Sequence, residues 1–305
     1  MWEVGDRLFR TTTRRFQICE CPGCSLRLLQ PVPSPAELVG YYPSGYWIGA
    51  PDGAGNAATL RQRLLETYRR LVLVDHVRFV RRIVERQQRD GVWRGILDVG
   101  CGDGSFLSAL GVQPAVGLDR SAAAAAAVRA RGLRAVVGDL AATPMRDRSH
   151  SLVTMFHYLE HVPQAAVSLE AARRLLAPDG RLVVQVPNTA SWQALLLGRR
   201  WHGYEPPRHL VNYTPRALTT TLAKSGFETI RTTFFSLRDN PTTLANSLAP
   251  GLFPPARAAR GTSRGAGEWA ANLEYLALVW LSVPFTLLES VCGRGAAVMI
   301  EARPT

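Results

Sequence analysis

The feature that most constrains this chain is a short apolar run that ends in a glycine-rich loop. Residues 96–106 read Ile-Leu-Asp-Val-Gly-Cys-Gly-Asp-Gly-Ser-Phe, with glycine at positions 100, 102 and 104. Glycine adopts positive φ without strain and lets a ligand approach the backbone closely. The start of a helix behind such a turn favours an anionic group of a ligand. The loop therefore predicts a strand–turn–helix unit that binds a ligand.

Apolar segments alternate with helical segments around this loop. Strands are predicted at Ile96–Val99, Ala115–Leu118, Arg134–Val137, Leu152–Phe156, Leu182–Val186, Phe227–Phe235 and Ala296–Glu301. Helices are predicted at Ser105–Leu110, Ser121–Arg131 and Gln164–Leu176, the second with Ser121 as its N-cap and Gly132 just beyond its end. This alternation is typical of βαβ units with a buried parallel sheet. The sequence predicts an α/β, Rossmann-like fold with a seven-stranded, mostly parallel sheet and helices on both faces.

The chain is predicted to have two parts. Residues 1–58 lack a regular periodicity and are expected to form an irregular extension, whereas residues 59–305 are expected to form the main domain. The core of that domain is placed at about 92–236 and 294–305, with an apolar, helical cap insertion at about 238–292. A glycine-rich linker and an amphipathic helix are predicted at the junction: Gly49–Gly55 and Leu60–Arg89.

Three carboxylates mark the ends of the first three predicted strands. Asp98 closes the first strand, Asp119 closes the second 21 residues later, and Asp139 follows the third. A nicotinamide-binding G-x-G-x-x-G loop would have glycine where this chain has Ser105. Asp98 suits a ligand with an ammonium group, and Asp119 has the spacing at which an acid reaches ribose hydroxyls. The pattern favours a cationic nucleoside cofactor over a dinucleotide.

Taken together, these motifs resemble the class I S-adenosylmethionine-dependent methyltransferase family. The resemblance covers about residues 92–236 and the last predicted strand. It also includes Phe-His-Tyr-Leu-Glu-His-Val at 156–162, after the fourth strand, and Leu-Leu-Ala-Pro-Asp-Gly-Arg-Leu at 175–182, before the fifth. Several ordered motifs at the correct spacing make this pattern more specific than a glycine loop alone.

The resemblance implies S-adenosylmethionine as the cofactor. Asp98 and the backbone of the glycine loop would hold its methionine part, Asp119 its ribose hydroxyls, and Asp139 its adenine amino group. Arg120 would lie beside the ribose site, and Phe156 would contribute a backbone contact. The residues expected to bind the cofactor are Asp98, Gly100, Gly102, Gly104, Asp119, Arg120, Asp139, Leu140 and Phe156.

Candidate catalytic residues lie in two loops that follow the fourth and fifth strands. Residues 201–210 read Trp-His-Gly-Tyr-Glu-Pro-Pro-Arg-His-Leu and resemble the W-x-x-Y-x-P-x-R-H-L signature of one subgroup. His209 is the first candidate to take the acceptor's proton or to orient the acceptor. His161, with Glu160, is the second, and His157 is less favoured; for each histidine a purely structural role is the alternative. Glu160 and His161 leave a metal-bound acceptor as an alternative, but no ligand cluster demands a metal ion, so none is expected.

Three cysteines near the amino end resemble half of a zinc site. Cys21 and Cys24 form a C-x-x-C pair, and Cys19 lies close by. The surrounding segment resembles the amino end of methyltransferases that carry a small zinc ribbon, but this chain has no second pair upstream and has Ser25 where that family has glycine. We therefore expect a degenerate remnant without zinc.

Net charge and one apolar segment bear on possible partners. The net charge of +12 comes almost entirely from arginines that are spread along the chain, and no N-P-P-Y-type tetrad follows the fourth strand, so no nucleic-acid partner is expected.

Residues 273–291 are strongly apolar, with an uncharged run at Tyr275–Leu288 interrupted by Pro284. This run is short for a membrane span. We expect a packed cap or a dimer face there, with contact to a membrane surface as the alternative.

These observations predict a cytoplasmic enzyme, since no secretory signal pattern is visible, and it could sit at the inner face of the membrane. It is expected to transfer a methyl group from S-adenosylmethionine to a small-molecule or a lipid- or glycan-linked acceptor, at oxygen. The alternative is a catalytically inactive, membrane-associated scaffold that retains the fold. The sequence leaves the acceptor and the oligomeric state open.

Overall fold

A computed structural model of the chain describes residues 2–43, 46, 71–262 and 267–305. The predicted linker at 49–55 and the first part of the predicted helix, residues 60–70, lie outside these ranges. The rest of that helix is present as α2, Val74–Arg89, which follows the short amino-terminal helix α1, Pro35–Gly40.

Seven strands form the main sheet. They are β4 Ile96–Val99, β5 Ala115–Asp119, β6 Arg134–Val137, β7 His150–Phe156, β8 Leu176–Pro187, β10 Phe227–Thr233 and β11 Ala297–Pro304. Their order is β10–β11–β8–β7–β4–β5–β6. The strands from β8 to β6 pair in parallel, whereas β11 pairs antiparallel with both β8 and β10. The predicted Rossmann-like α/β fold is confirmed, although β8 begins six residues before the predicted strand.

Helices cover both faces of this sheet because its central strands are apolar on both sides. On one face, Ile96 and Leu152 pack with α2 and with α3, Ser105–Leu110. On the other face, Leu97 and Val153 pack with two further helices, α5 at Ala165–Leu175 and α7 at Pro215–Lys224. Between them in the chain lie α4, Ala122–Ala130, and α6, Trp192–Leu197. Ser121 caps α4 by accepting a hydrogen bond from the Ala124 N–H, and Gly132 has positive φ, as predicted.

The prediction that the amino-terminal residues are irregular was wrong for the part that the structure describes. Here lie β1 Trp2–Val4, β2 Phe16–Glu20 and β3 Arg27–Gln30. With β9, Val211–Asn212, they form a second, antiparallel sheet of order β1–β2–β3–β9. Strands this short leave no extended alternation in the sequence. They are stabilised by pairing with a distant loop and by burial of side chains such as Phe16 and Ile18.

The described residues of the insertion before the last strand, 238–262 and 267–292, contain three helices. They are α8 Asp239–Leu248, α9 Pro254–Ala259 and α10 Gly267–Val291. The apolar run is part of a 25-residue helix. The expectation that it is too short to span a membrane was therefore wrong as far as the length of the helix is concerned. By length and composition α10 could cross a membrane, and 17% of its most apolar stretch is buried. The outer face of α10 is not packed against the described residues, since Trp280 and Leu281 are more than two thirds exposed, while the expected dimer face stays a prediction.

Candidate functional site

The glycine loop between β4 and α3 has a backbone that glycine alone adopts readily. Gly100, Gly102 and Gly104 have φ of 71°, 52° and 74°. A side chain on Gly104 would meet Val128 at 3.0 Å, whereas space beside Gly102 is open. The predicted strand–turn–helix unit is thus present, and its loop offers exposed backbone to a ligand.

Two buried carboxylates flank this loop on neighbouring parallel strands. Asp98 is 4% exposed, and its Oδ1 accepts a 2.6 Å hydrogen bond from the Thr154 hydroxyl. Burial raises the pKa of Asp98 to about 7. Asp119 accepts hydrogen bonds from the backbone N–H groups of Gly102 and Ser121, at 3.1 and 2.8 Å, and burial raises its pKa as well. Both carboxylates lie at the carboxyl edge of the sheet, where ligands bind in this kind of fold.

The donor set fits S-adenosylmethionine. Among the described residues, Asp98 forms no salt bridge, so a buried carboxylate is available to the ammonium group of the methionine part. Arg120 is exposed beside Asp139, with 4.0 Å between Nε and Oδ2. Asp139 itself is partly exposed after β6. The cofactor roles of these residues stay predictions.

Two of the predicted cofactor residues pack in the interior. The Leu140 side chain is buried in the main core, so it serves packing, and only the backbone of this residue is left for a cofactor contact. Phe156 ends β7 and contacts the rings of Phe106 and His76, with centroids 4.8 and 5.0 Å away. Its side chain therefore belongs to the apolar cluster between the sheet, α2 and α3.

The turn after β7 holds an ionised histidine between two acids. His157 has φ of 52°, a region that non-glycine residues rarely adopt. Its Nδ1 donates to Glu160 Oε1 at 3.0 Å, and its Nε2 lies 3.2 Å from Oδ1 of Asp239 on α8. Burial alone would lower the pKa of His157, but the two carboxylates raise it to about 10. Glu160 is 1% exposed, and its Oε2 has no hydrogen-bond partner among the described residues.

Two further histidines meet beside this turn. The rings of His161 and His209 are 4.8 Å apart and nearly perpendicular. His161 Nδ1 lies 3.1 Å from the Arg208 carbonyl oxygen, and His209 Nδ1 lies 2.8 Å from that of Gly203. A carbonyl only accepts, so both Nδ1 atoms carry the proton and both Nε2 atoms keep a lone pair. Burial lowers the pKa of both rings, that of His161 to about 4, so they are neutral near pH 7.

The structure thus brings together the three residues predicted to be catalytic. Ligand atoms of Glu160, His161 and His209 all lie within 4.8 Å of one another. The turn after β7 reaches the glycine loop through Tyr158, two residues before Glu160, and the Tyr158 ring comes within 3.2 Å of where a side chain on Gly100 would stand. His157, the less favoured candidate, lies behind the group and orients Glu160 instead.

The loop that carries His209 is anchored by a residue whose role the sequence did not indicate. Arg208 is fully buried and makes two hydrogen bonds to Asp6, one to Glu205 and one to the Tyr41 carbonyl. Burial would raise the pKa of Asp6, but hydrogen bonds from Arg208 hold it below its usual range. Sequence reasoning missed Asp6 and also Tyr42, whose hydroxyl lies 3.1 Å from His161 Nδ1. These partners are distant in the chain from Arg208 and His161, so no local sequence pattern connects them. The one signal was the charge of Arg208, which needs an acidic partner when it is buried.

Two known proteins are similar in sequence to part of this chain. A protein of Mycolicibacterium smegmatis named "Probable S-adenosylmethionine-dependent methyltransferase" is 32% identical over 142 residues, which are 44% of this chain and 52% of that protein. A protein of 37.1 kDa in transposon TN4556 of Streptomyces fradiae, named as uncharacterized, is 36% identical over 111 residues, 33% of this chain and 31% of its own length. The chain therefore spans about half or less of the length of these relatives.

The fold also has solved relatives. The crystal structure of an S-adenosylmethionine-dependent methyltransferase from Thermotoga maritima, described as a possible histamine N-methyltransferase, has a TM-score of 0.45 and 19% identity; the match covers 80% of this chain and 97% of that chain. The family model described as "Methyltransferase domain" matches residues 65–232, more than half of the 305 residues. Because this family model covers more than half of the chain, the chain belongs to the methyltransferase domain family.

Proposed function

We propose that the protein methylates an oxygen atom of a small-molecule, lipid-linked or glycan-linked acceptor. The observation that supports this proposal is the convergence of Glu160, His161 and His209, two of which follow Tyr158, the residue that contacts the glycine loop. When bound, S-adenosylmethionine supplies an activated methyl group, so the protein has to position the acceptor and accept its proton.

A hydroxyl is the acceptor that this group suits best. A hydroxyl must lose a proton as its oxygen is methylated, and the neutral imidazole of His209 presents a free Nε2 lone pair to take it. The Gly203 carbonyl fixes the orientation of this ring, and the anchored Arg208 fixes the loop. Little entropy is therefore lost when the acceptor binds.

His209→Ala tests this proposal. We expect turnover to fall about 100-fold or more, as for the loss of a general base, while S-adenosylmethionine affinity stays within about threefold of wild type. The measurements are calorimetry of cofactor binding and transfer of tritiated methyl label to hydroxylated lipid extracts. His150→Ala, at the opposite end of β7, is the matched control and should keep its turnover. Full turnover in His209→Ala would refute the role, and label recovered on nitrogen would refute the choice of oxygen.

We further propose that the enzyme works at the cytoplasmic face of a membrane, in contact with lipid through α10. Large apolar side chains are exposed along α10, namely Trp269, Leu273, Leu276, Trp280, Leu281, Leu287, Leu288 and Val291. The neighbouring helix α6 exposes Leu195 and Leu196, and Arg199 and Arg200 follow them at the surface. An apolar helix with flanking arginines suits a surface of anionic lipid. Binding to vesicles measures this contact directly.

A further inference from the structure

We propose that Glu160, His161 and His209 bind a divalent transition-metal ion. The inference rests on the proposed methylation of an acceptor oxygen, because it concerns the same site. It replaces proton transfer to His209, however, because a ring nitrogen that binds the ion has no lone pair left for a proton. The three side chains come from the turn after β7 and from the loop that precedes β9. Two imidazoles and one carboxylate are a set of ligands that holds such ions in many proteins.

The distances suit an ion after a small adjustment. The ligand atoms lie within 4.8 Å of one another. An ion about 2.0–2.2 Å from each ligand needs the ligands about 3–4 Å apart, so each side chain has to move by less than about 1 Å. Rotation about side-chain torsions supplies such a shift without a change in the backbone.

The surroundings of these ligands give an independent argument. Histidines that bind metals donate their other ring N–H to a carbonyl or a carboxylate, which fixes the tautomer. His161 and His209 both do so, toward the carbonyls of Arg208 and Gly203. Glu160 has Oε1 occupied by His157, while Oε2 is buried without a hydrogen-bond partner among the described residues. An unpartnered carboxylate oxygen in the interior is costly unless a ligand satisfies it.

The ligand types indicate which ion fits. Mg²⁺ and Ca²⁺ prefer sites made of oxygen ligands alone, whereas imidazole suits Zn²⁺, Mn²⁺, Fe²⁺ and Co²⁺. Three protein ligands leave positions open, as in catalytic sites. An acceptor oxygen that fills one of them would lose its proton at a lower pH than in water.

A second group of possible ligands has to be separated from this one. Cys21 and Cys24 face each other in the turn between β2 and β3, where Ser25 has φ of 58°. Thiolates bind zinc strongly, so the test uses Co²⁺, whose visible spectrum distinguishes thiolate from imidazole and carboxylate ligands. The Cys21→Ser/Cys24→Ser variant removes this pair.

The experiment titrates the chelator-treated, full-length protein with Co²⁺ and follows visible absorption and heat. We expect one ion per chain, bound with a spectrum free of thiolate bands. Glu160→Gln and His209→Gln should each weaken Co²⁺ binding at least tenfold, and His157→Gln about 10- to 100-fold through the orientation of Glu160. S-adenosylmethionine affinity within about threefold of wild type shows that these variants are folded. The cysteine variant should bind Co²⁺ as the wild type does.

Three outcomes would overturn the inference: no Co²⁺ or Zn²⁺ binding, binding that survives Glu160→Gln and His209→Gln, or binding that the cysteine variant alone abolishes. Methylation at full rate in the chelated protein would also overturn it, while leaving the proposed function intact. Conversely, ion binding at this group together with label on nitrogen would support the inference and refute oxygen as the acceptor.

Discussion

Asp98 lies near the end of β4 with its side chain almost wholly enclosed, and its Oδ1 accepts a hydrogen bond from the Thr154 hydroxyl. Because burial raises its pKa to about 7, the carboxyl group is partly protonated near neutral pH. An ammonium group placed beside it favours the ionised form. Cofactor binding and loss of this proton are therefore linked.

We predict that S-adenosylmethionine affinity rises between about pH 6 and about pH 8, because ionisation of Asp98 is completed as the pH passes its pKa of about 7. Asp98→Asn should weaken binding roughly tenfold or more at about pH 8 and flatten this rise. Calorimetry of both proteins across the range is the measurement. The amino group of S-adenosylmethionine titrates in the same way with both proteins, so the difference between their pH profiles reports on Asp98. Parallel pH profiles for the two proteins would contradict the assignment.

Among the elements, the insertion is joined to the sheet by polar side chains. Gln193 of α6 donates hydrogen bonds to Glu289 Oε1 of α10, at 2.7 Å, and to the Asn240 carbonyl of α8, at 3.0 Å. Asn240 in turn accepts from the Ala297 N–H of β11. Glu289 is fully buried, and burial raises its pKa to about 7.

Glu289→Gln should change how stability depends on pH. A carboxyl whose pKa is raised on folding stabilises the protein at low pH, and that contribution is lost as the pH rises through about 7. We therefore expect the variant to match wild type at about pH 5 and to be more stable at about pH 8, by up to roughly 3 kcal/mol. Urea denaturation at the two pH values measures this. Glu274→Gln, at an exposed position of α10, should show no such difference; an equal effect of both substitutions would rule out burial as the cause.

A strand or helix could be predicted from the sequence when residues close to it in the chain stabilise it. The strands and helices from Ile96 to Pro187 have strong apolar periodicity, so sequence alone located them and the edge where Glu160 and His161 lie. The amino-terminal strands depend on pairing with β9, whose Val211 lies opposite Leu28 of β3, and partners so far apart in the chain leave no local signal. The same holds for Asp239, which reaches His157 from the insertion. The sequence predicted the candidate side chains Glu160, His161 and His209 and missed the buried charges that hold them.

For the whole molecule, the exposed apolar face of α10 and the net charge of +12 act in the same direction at an anionic lipid surface. We predict that the protein floats with vesicles containing anionic lipid, and that binding weakens as salt screens the arginines. Trp280→Ser/Leu281→Ser should lower the partition coefficient at least about tenfold, because two large apolar side chains no longer enter the lipid.

Val137→Ser, an exposed apolar position on β6, is the control and should bind as wild type does. Vesicle flotation in which all three proteins partition equally would show that α10 does not contact lipid. Binding of the wild type to zwitterionic vesicles at the same strength would show that charge makes no contribution.

The place of β11 in the sheet has a consequence during biosynthesis. It inserts between β8 and β10, yet both of these strands leave the ribosome before it. Until residues 297–304 emerge, β8 has an open edge and β10 lacks its sheet partner, and open edges invite pairing with other chains. The apolar helix α10 emerges in the same interval. We therefore expect the nascent chain to depend on a chaperone or on early contact with lipid until β11 is in place.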